Sequence, residues 1–351
     1  MTERVLTTRQ LNRALLARQL LLERAPLSLT DATDQIGGLQ TQYAPSGYVG
    51  LWSRLAGFRR DELTRALEER RAVQGTLMRV TIHTVSAADY WPIVAAIREG
   101  RRSWWLSVSR RQPGRTSNME AVAEALREEL AEGPLRVTEL SARLVARGFP
   151  ADAMQGAGLW VDLVRVPPSG TWDRRRADLY GLADAWLPPT DVSEEDGLEH
   201  LVHRYLGAFG PAPLRDLASW AGLNVATLRS AVGNVVGRRF RDERGTELLD
   251  LSDAPLPDPD TPAPVRFLPT WDAALLVHCR RTQIVPERHR SRIFNTKTPH
   301  SVPTFLVDGQ VAGTWRYDDG RIDLAPFGRL APADRDELKQ EAERLAAFHA
   351  P

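Results

Sequence analysis

A short pattern recurs three times along the chain and limits its possible folds more than any other feature. "APLSLTDATDQIGGL" begins at Ala25, "GPLRVTELSARLVARGF" at Gly133 and "APLRDLASWAGL" at Ala212. Each joins a Pro-Leu step to a polar residue and a short amphipathic helix; Leu214, Leu217 and Ala218 fall at i, i+3 and i+4 of one helical face. In the third copy Gly222 turns the chain into "NVATLRSAVG", a second helix that Asn224 is placed to cap, and the pair reads as a helix-turn-helix. The segments after the helices repeat as well: strand-like "AVQGTLMR" and "VTIHTVSA", then "LVRVPPSGTWD" and "ADLYGL", then "RRFRDERGTELLDL" around a turn. Helices followed by a β-hairpin make a winged helix, and three in tandem would fill residues 5–255.

The expected class is therefore α+β, mainly α. A first winged helix spans 5–90, a helical connector with a second spans 91–190, and a third spans 191–255. The connector helices are "AADYWPIVAAIREGRRSWWLSVSRR" and "NMEAVAEALREELAE", the latter with Ser117 as its cap. Past the acidic, proline-rich "DAPLPDPDTPAP", residues 264–330 alternate in polarity and hold Asp308-Gly309 and Asp319-Gly320, good hairpin turns for a small antiparallel sheet or barrel. Residues 332–351 form one amphipathic helix.

Composition narrows the setting. The 351 residues, 42% of them apolar, suffice for several cores, no apolar run reaches membrane-spanning length, and the N-terminus lacks a signal-peptide pattern. Cys279 is the only cysteine, which excludes an intramolecular disulfide and fits the cytoplasm. The net charge of +1 hides an arginine excess, since Lys297 and Lys339 are the only lysines. Arg98, Arg101, Arg102, Arg110, Arg111 and Arg115 cluster in one segment, and Arg280, Arg281, Arg288, Arg290 and Arg292 in another. A GC-rich genome explains the count; basic patches on a neutral chain also fit a polyanion bound on one face. Arg54, Arg101, Arg102, Arg110, Arg111 and Arg281 are the candidate DNA contacts.

Standard enzyme signatures are missing. There is no Walker loop, Rossmann fingerprint or nucleophile-elbow serine. His200 and His203 lack a clear third ligand, and His278-Cys279 follows an apolar run that reads as core. No metal or organic cofactor is implied. In "MRVTIHTV" alternation puts Arg79, Thr81 and His83 on one face, a polar stripe able to line a cleft, although a lone strand histidine is more often structural.

Gln40 and Gln42 pose a separate question. On a continuous helix they would point about 200° apart, but Pro45 and Ser46-Gly47 indicate a helix ending there, and a bent end lets both amides converge. The stretch "GLQTQYAPSGYVGLWSRL" resembles the winged-helix DNA glycosylases of the AlkZ/YcaQ type, in which a Gln-x-Gln or Gln-x-Asp motif precedes a proline. The similarity continues through "LMRVTIHTVSAADYW", "FLPTWDAALLVHCRR" and "PTFLVDGQVAGTWRY". It implies a C-shaped molecule of three winged helices and a C-terminal β-barrel, with catalytic amides Gln40 and Gln42 facing double-stranded DNA that carries alkylated guanine. It further implies excision of N7-alkylguanine, with crosslink unhooking in some members. Thr41 departs from the aliphatic middle residue, and Gln rather than Asp in second place looks like the self-resistance branch.

Chemistry agrees with that implication. N7 alkylation makes the base a cationic leaving group, so the protein must supply only a placed water and stabilisation of the sugar. An amide can do both but is too weakly basic to be a general base. Gln42 would orient the water and Gln40 brace it, or the reverse. A non-catalytic lesion binder and a dimeric winged-helix regulator are the alternatives, although nothing in the chain demands a dimer and a monomer is expected.

Overall fold

The computed structural model describes residues 4–110, 118–275, 281–294 and 301–350. One arrangement occurs three times: a helix, a short strand, two helices, then a hairpin whose second strand pairs with the short strand. In the first copy these are Leu29–Gln35, Leu39–Gln40, Pro45–Trp52, Arg60–Glu68, Ala72–Thr76 and Ile82–Ser86. The second runs Met119–Glu129, Leu135–Arg136, Val137–Ala146, Ala153–Ala157, Leu163–Arg165 and Leu179–Leu182. In the third, helices Glu194–Phe209, Leu214–Ala221 and Val225–Val235 precede strands Arg238–Asp242 and Glu247–Asp250, and a single bridge, Ala212 to Leu249, replaces the short strand.

The first two hairpins are not separate. Gln74 and Gly75 pair with Arg165 and Val164, fusing both into one six-stranded sheet. The third hairpin takes the N-terminal strand Val5–Leu6 as a parallel edge. Helix Ala87–Ser109, started by Ser86, packs along Glu194–Phe209 and ties the copies together. At the third copy's turn Gly222 is left-handed (φ 75°), but Asn224 makes no side-chain cap. Asn118 rather than Ser117 caps helix Met119–Glu129, its Oδ1 accepting from the Ala121 N–H at 3.3 Å, and Ser117 and the His278-Cys279 pair lie outside the described residues.

The C-terminal region is an open sheet rather than a barrel. Strands Arg266–Leu268, Thr304–Val307, Gln310–Asp318 and Arg321–Pro326 pair in sequence order, and among the described residues the first and last do not meet. Four strands are too few to close around a filled interior. Both Asp-Gly turns have positive φ at each central residue, 45° and 77° at Asp308-Gly309 and 42° and 83° at Asp319-Gly320, as the favoured hairpin turn requires. Helix Pro332–His349 covers this sheet with Leu338, Ala342 and Leu345.

One apolar core joins the C-terminal sheet to the first copy. Tyr48, Leu51 and Trp52 pack with Phe267, Phe305 and Trp315, so all eight residues of helix Pro45–Trp52 are buried. The glutamine pair sits at the entrance to this helix, where the two regions meet.

Candidate active site and nucleic-acid face

The glutamines stand on a strand and its extension, not on a fraying helix. Helix Leu29–Gln35 ends when Gly37 donates to the Asp34 carbonyl (3.2 Å) and Gly38 to that of Thr33 (2.9 Å), with φ of 76° and 81° at the two glycines. This paired closure needs a left-handed residue, which glycine supplies without a Cβ penalty. The diglycine delivers Leu39–Gln40 to the sheet edge, where Gln40 is opposite His83, and Thr41 N–H continues the ladder to the Ile82 carbonyl at 2.9 Å. Strand alternation places residues i and i+2 on one face, and both glutamines bond to the segment leading into strand Ile82–Ser86, Gln40 to Arg79 and Gln42 to Ile82.

Thr41 occupies the other face. It is buried, its hydroxyl lies 3.0 Å from that of Thr84, and its methyl group covers Gly47, where an added Cβ would approach to 2.9 Å. A polar middle residue is accommodated because Thr84 gives it a partner.

The amides differ in setting. Gln40 is 5% exposed and its Oε1 accepts from Arg79 Nη2 at 2.8 Å. Gln42 is exposed and its Oε1 accepts from the Ile82 N–H at 3.2 Å. A carbonyl oxygen has two lone pairs, so each amide keeps acceptor capacity.

The stripe expected from "MRVTIHTV" does not form as one strand. Met78–Val80 is a helical turn with Arg79 and Val80 left-handed (φ 54° and 58°), and the strand starts at Ile82. Arg79 is nevertheless brought to the motif, because the turn folds back and donates both to Gln40 and to the Trp220 carbonyl in the last turn of helix Leu214–Ala221. A helix C-terminus favours a cation. Burial, and then Arg281, pull the Arg79 guanidinium down to about 10. Thr81 is half-buried, and its hydroxyl donates to the Met78 carbonyl at 3.0 Å, closing the turn. His83 is 2% exposed with Nδ1 3.0 Å from the Thr81 carbonyl; burial and Arg79 push its pKa down to about 3, so it is neutral near pH 7.

Three arginines expected to contact DNA are internal. Arg54 is 1% exposed and grips Asp272 through two 2.9 Å bonds. Arg101 is buried, donating to the Thr76 carbonyl at 2.6 Å beside Asp162. Arg281, also buried, donates to the carbonyls of Ala273 and Ala274 and lies over Phe209. Each charge is consumed by a carboxylate, carbonyl or ring that arrives from elsewhere in the fold. Arg102 is half-buried and engaged by Glu99 and the Leu159 carbonyl. Arg110 is exposed, and Arg111 lies outside the described residues.

One exposed basic group beside the motif is not among the expected contacts. Arg174, Arg175 and Arg176 are consecutive and exposed in the loop of the second hairpin. Arg175 donates to the Tyr43 hydroxyl at 3.0 Å, directly beside Gln42. Three adjacent arginines in a hairpin loop, "TWDRRRADLY", are the sequence signal for it.

Elsewhere His200 pairs with Asp89 at 2.9 Å, and among the described residues no cluster of three potential metal ligands occurs. No helix of the described residues is long and apolar enough to cross a membrane.

Comparison with known proteins agrees with this architecture. A curated relative, the interstrand DNA cross-link repair glycosylase of Streptomyces sahachiroi, is 24% identical over 358 residues, covering 95% of this chain and 92% of its own. The solved structure of Streptomyces sahachiroi DNA glycosylase AlkZ superposes with a TM-score of 0.79 at 19% identity, covering 98% of this chain and 97% of that one. The family model for DNA glycosylase AlkZ-like proteins matches residues 33–348, and the chain belongs to the AlkZ-like DNA glycosylase family.

Proposed function

We propose that the protein is a monofunctional DNA glycosylase that hydrolyses the bond between deoxyribose and N7-alkylated guanine. Its substrates would be bulky natural-product adducts and interstrand crosslinks, and its role resistance to a genotoxin on chromosomal DNA in the cytoplasm. In this reading the three repeated units, at 5–90, 91–190 and 191–255, are winged helices lining a DNA channel, and the chain acts as a monomer. The repeated helix and strand order supports that assignment, and the relative named for cross-link repair supports the crosslink.

The observation that carries the proposal is the amide pair itself: the Asp272 carboxylate that lines the Gln40 cleft is already held by Arg54 through two 2.9 Å bonds. Gln42 is exposed and Gln40 is anchored by Arg79, while neighbouring His83 is neutral. The C1′–N9 bond breaks with its electrons moving into the cationic imidazolium ring, which leaves as a neutral base without protonation. Gln42 Oε1 holds the attacking water through its second lone pair; the water oxygen bonds to C1′ and its proton passes to solvent. Gln40, fixed by Arg79, sets the geometry of the strand. No lysine lies in residues 39–86, so the site elements offer no amine for Schiff-base strand cleavage.

Such a site needs a leaving group that is already labile. Duplexes containing N7-methylguanine should lose the base, revealed by alkaline cleavage at the abasic site, whereas duplexes containing uracil, a neutral leaving group, should not. Comparable release of both would refute the amide-only mechanism.

A further inference from the structure

Beside the motif lies a cavity of about 560 Å³ that the catalytic reading does not use. Its walls include the rings of Tyr43, Trp172, Trp315, Tyr317 and His349. Tyr317 and His349 stack face to face at 4.4 Å, and Trp172 meets His349 edge-on at 5.1 Å. Arg175, Arg292 and Arg316 stand around it, the last with a side chain 73% exposed.

Two features tie this space to a ligand. Ser46 and Pro269 line both this cavity and the small cleft that holds Gln40, so the two adjoin. Two buried polar atoms in its walls have no hydrogen-bond partner: Ser46 Oγ, on a residue 4% exposed, and His349 Nε2. A buried unsatisfied polar group is costly, and a bound molecule that supplies the missing partner removes the penalty. His349 is held neutral, its pKa pushed down to about 4 by burial, Arg60 and Arg175, so it keeps a lone pair or N–H for such a bond.

We propose that this cavity receives the planar aromatic part of a bulky adduct while the alkylated guanine stays at Gln42. Aromatic rings and guanidinium groups in the walls favour a flat, electron-rich aromatic guest, and Ser46 Oγ and His349 Nε2 favour a polar atom at its edge. A methyl adduct would leave the cavity empty, and selectivity for large adducts would then reside here rather than in the glutamines. The assignment rests on the motif facing the lesion, as proposed above.

Two measurements separate the cavity from the chemistry. Free anthracene-9-carboxylate should quench the tryptophan fluorescence of the full chain saturably, and the surface variants Tyr43→Ala and Arg316→Ala should weaken that binding about three- to tenfold, the range of one lost stacking or cation contact. In duplexes, the kcat/KM ratio of N7-(anthracen-9-ylmethyl)guanine to N7-methylguanine should exceed one and fall by a similar factor in both variants. Absence of saturable quenching, variants that bind like wild type, or an unmoved ratio would overturn the proposal. Saturable binding with no release of either base would support the cavity and refute the glycosylase reading.

Discussion

At the scale of the residue, the proposed mechanism relies on groups that exchange no proton near pH 7. His83 stays neutral through the physiological range and the amides do not titrate, so base release should be nearly independent of pH between 6 and 8. A bell-shaped profile in that window would show that another group works as acid or base. In the proposed mechanism Arg79 acts through Gln40: Arg79→Met should slow base release, and the loss should shrink when Gln40 is already alanine, as a double-mutant cycle detects for coupled neighbours. Additive losses would separate the two. Thr41→Val removes a hydroxyl from the Thr84 pair and should destabilise the fold by about 1 kcal/mol in chemical denaturation.

Elements explain why some residues are legible in the sequence and others are not. The diglycine 37–38 stands next to the motif, yet its meaning appears only when the helix closure is seen. Gly37→Ala forces a left-handed residue and sets a Cβ 3.2 Å from that of Ala208, so a loss of about 1–2 kcal/mol is expected by denaturant titration. The two Asp-Gly turns and the amphipathic helices are readable because local chemistry alone decides them. "MRVTIHTV" misleads because its polarity alternates like a strand, whereas polarity says nothing of the positive φ at Arg79 and Val80. Arg54 misleads because its partner Asp272 is 218 residues away. Truncating one member of a buried pair strands the other, so Arg54→Ala should cost about 3–5 kcal/mol of stability. The exposed hairpin arginines should behave oppositely. Arg174→Ala with Arg176→Ala should leave the melting temperature nearly unchanged and lower the salt slope of duplex binding by about 2, one phosphate each.

For the whole molecule, the first copy of the repeat is sandwiched between the second, through a shared sheet, and the C-terminal sheet, through a shared core. The sequence repeat discloses three units but not that two hairpins fuse, since strand pairing at Gln74–Arg165 joins segments with no local signal for each other. Burial of His83 and His349 couples this packing to pH. Both are pushed below their unfolded value of 6.5, to about 3 and about 4, so the unfolded chain binds protons that the folded chain refuses as pH falls below about 6.5. Their contribution to stability is complete above that value and is lost on acidification. Asp34, held up at about 6 by burial and Asp89, works the other way, losing stability as pH rises from 3.8 through 6. His83→Gln with His349→Gln should therefore lose less melting temperature between pH 7.5 and 5 than wild type does; parallel loss would contradict the assignment.

The most direct test of the central claim is single-turnover base release from an N7-methylguanine duplex by wild type, Gln40→Ala and Gln42→Ala, with duplex affinity measured on the same preparations. The amide mechanism predicts that release falls by at least about tenfold in Gln42→Ala, and less in Gln40→Ala, while affinity stays within about twofold. Release at the wild-type rate in both variants, or a loss of release matched by an equal loss of affinity, would contradict it.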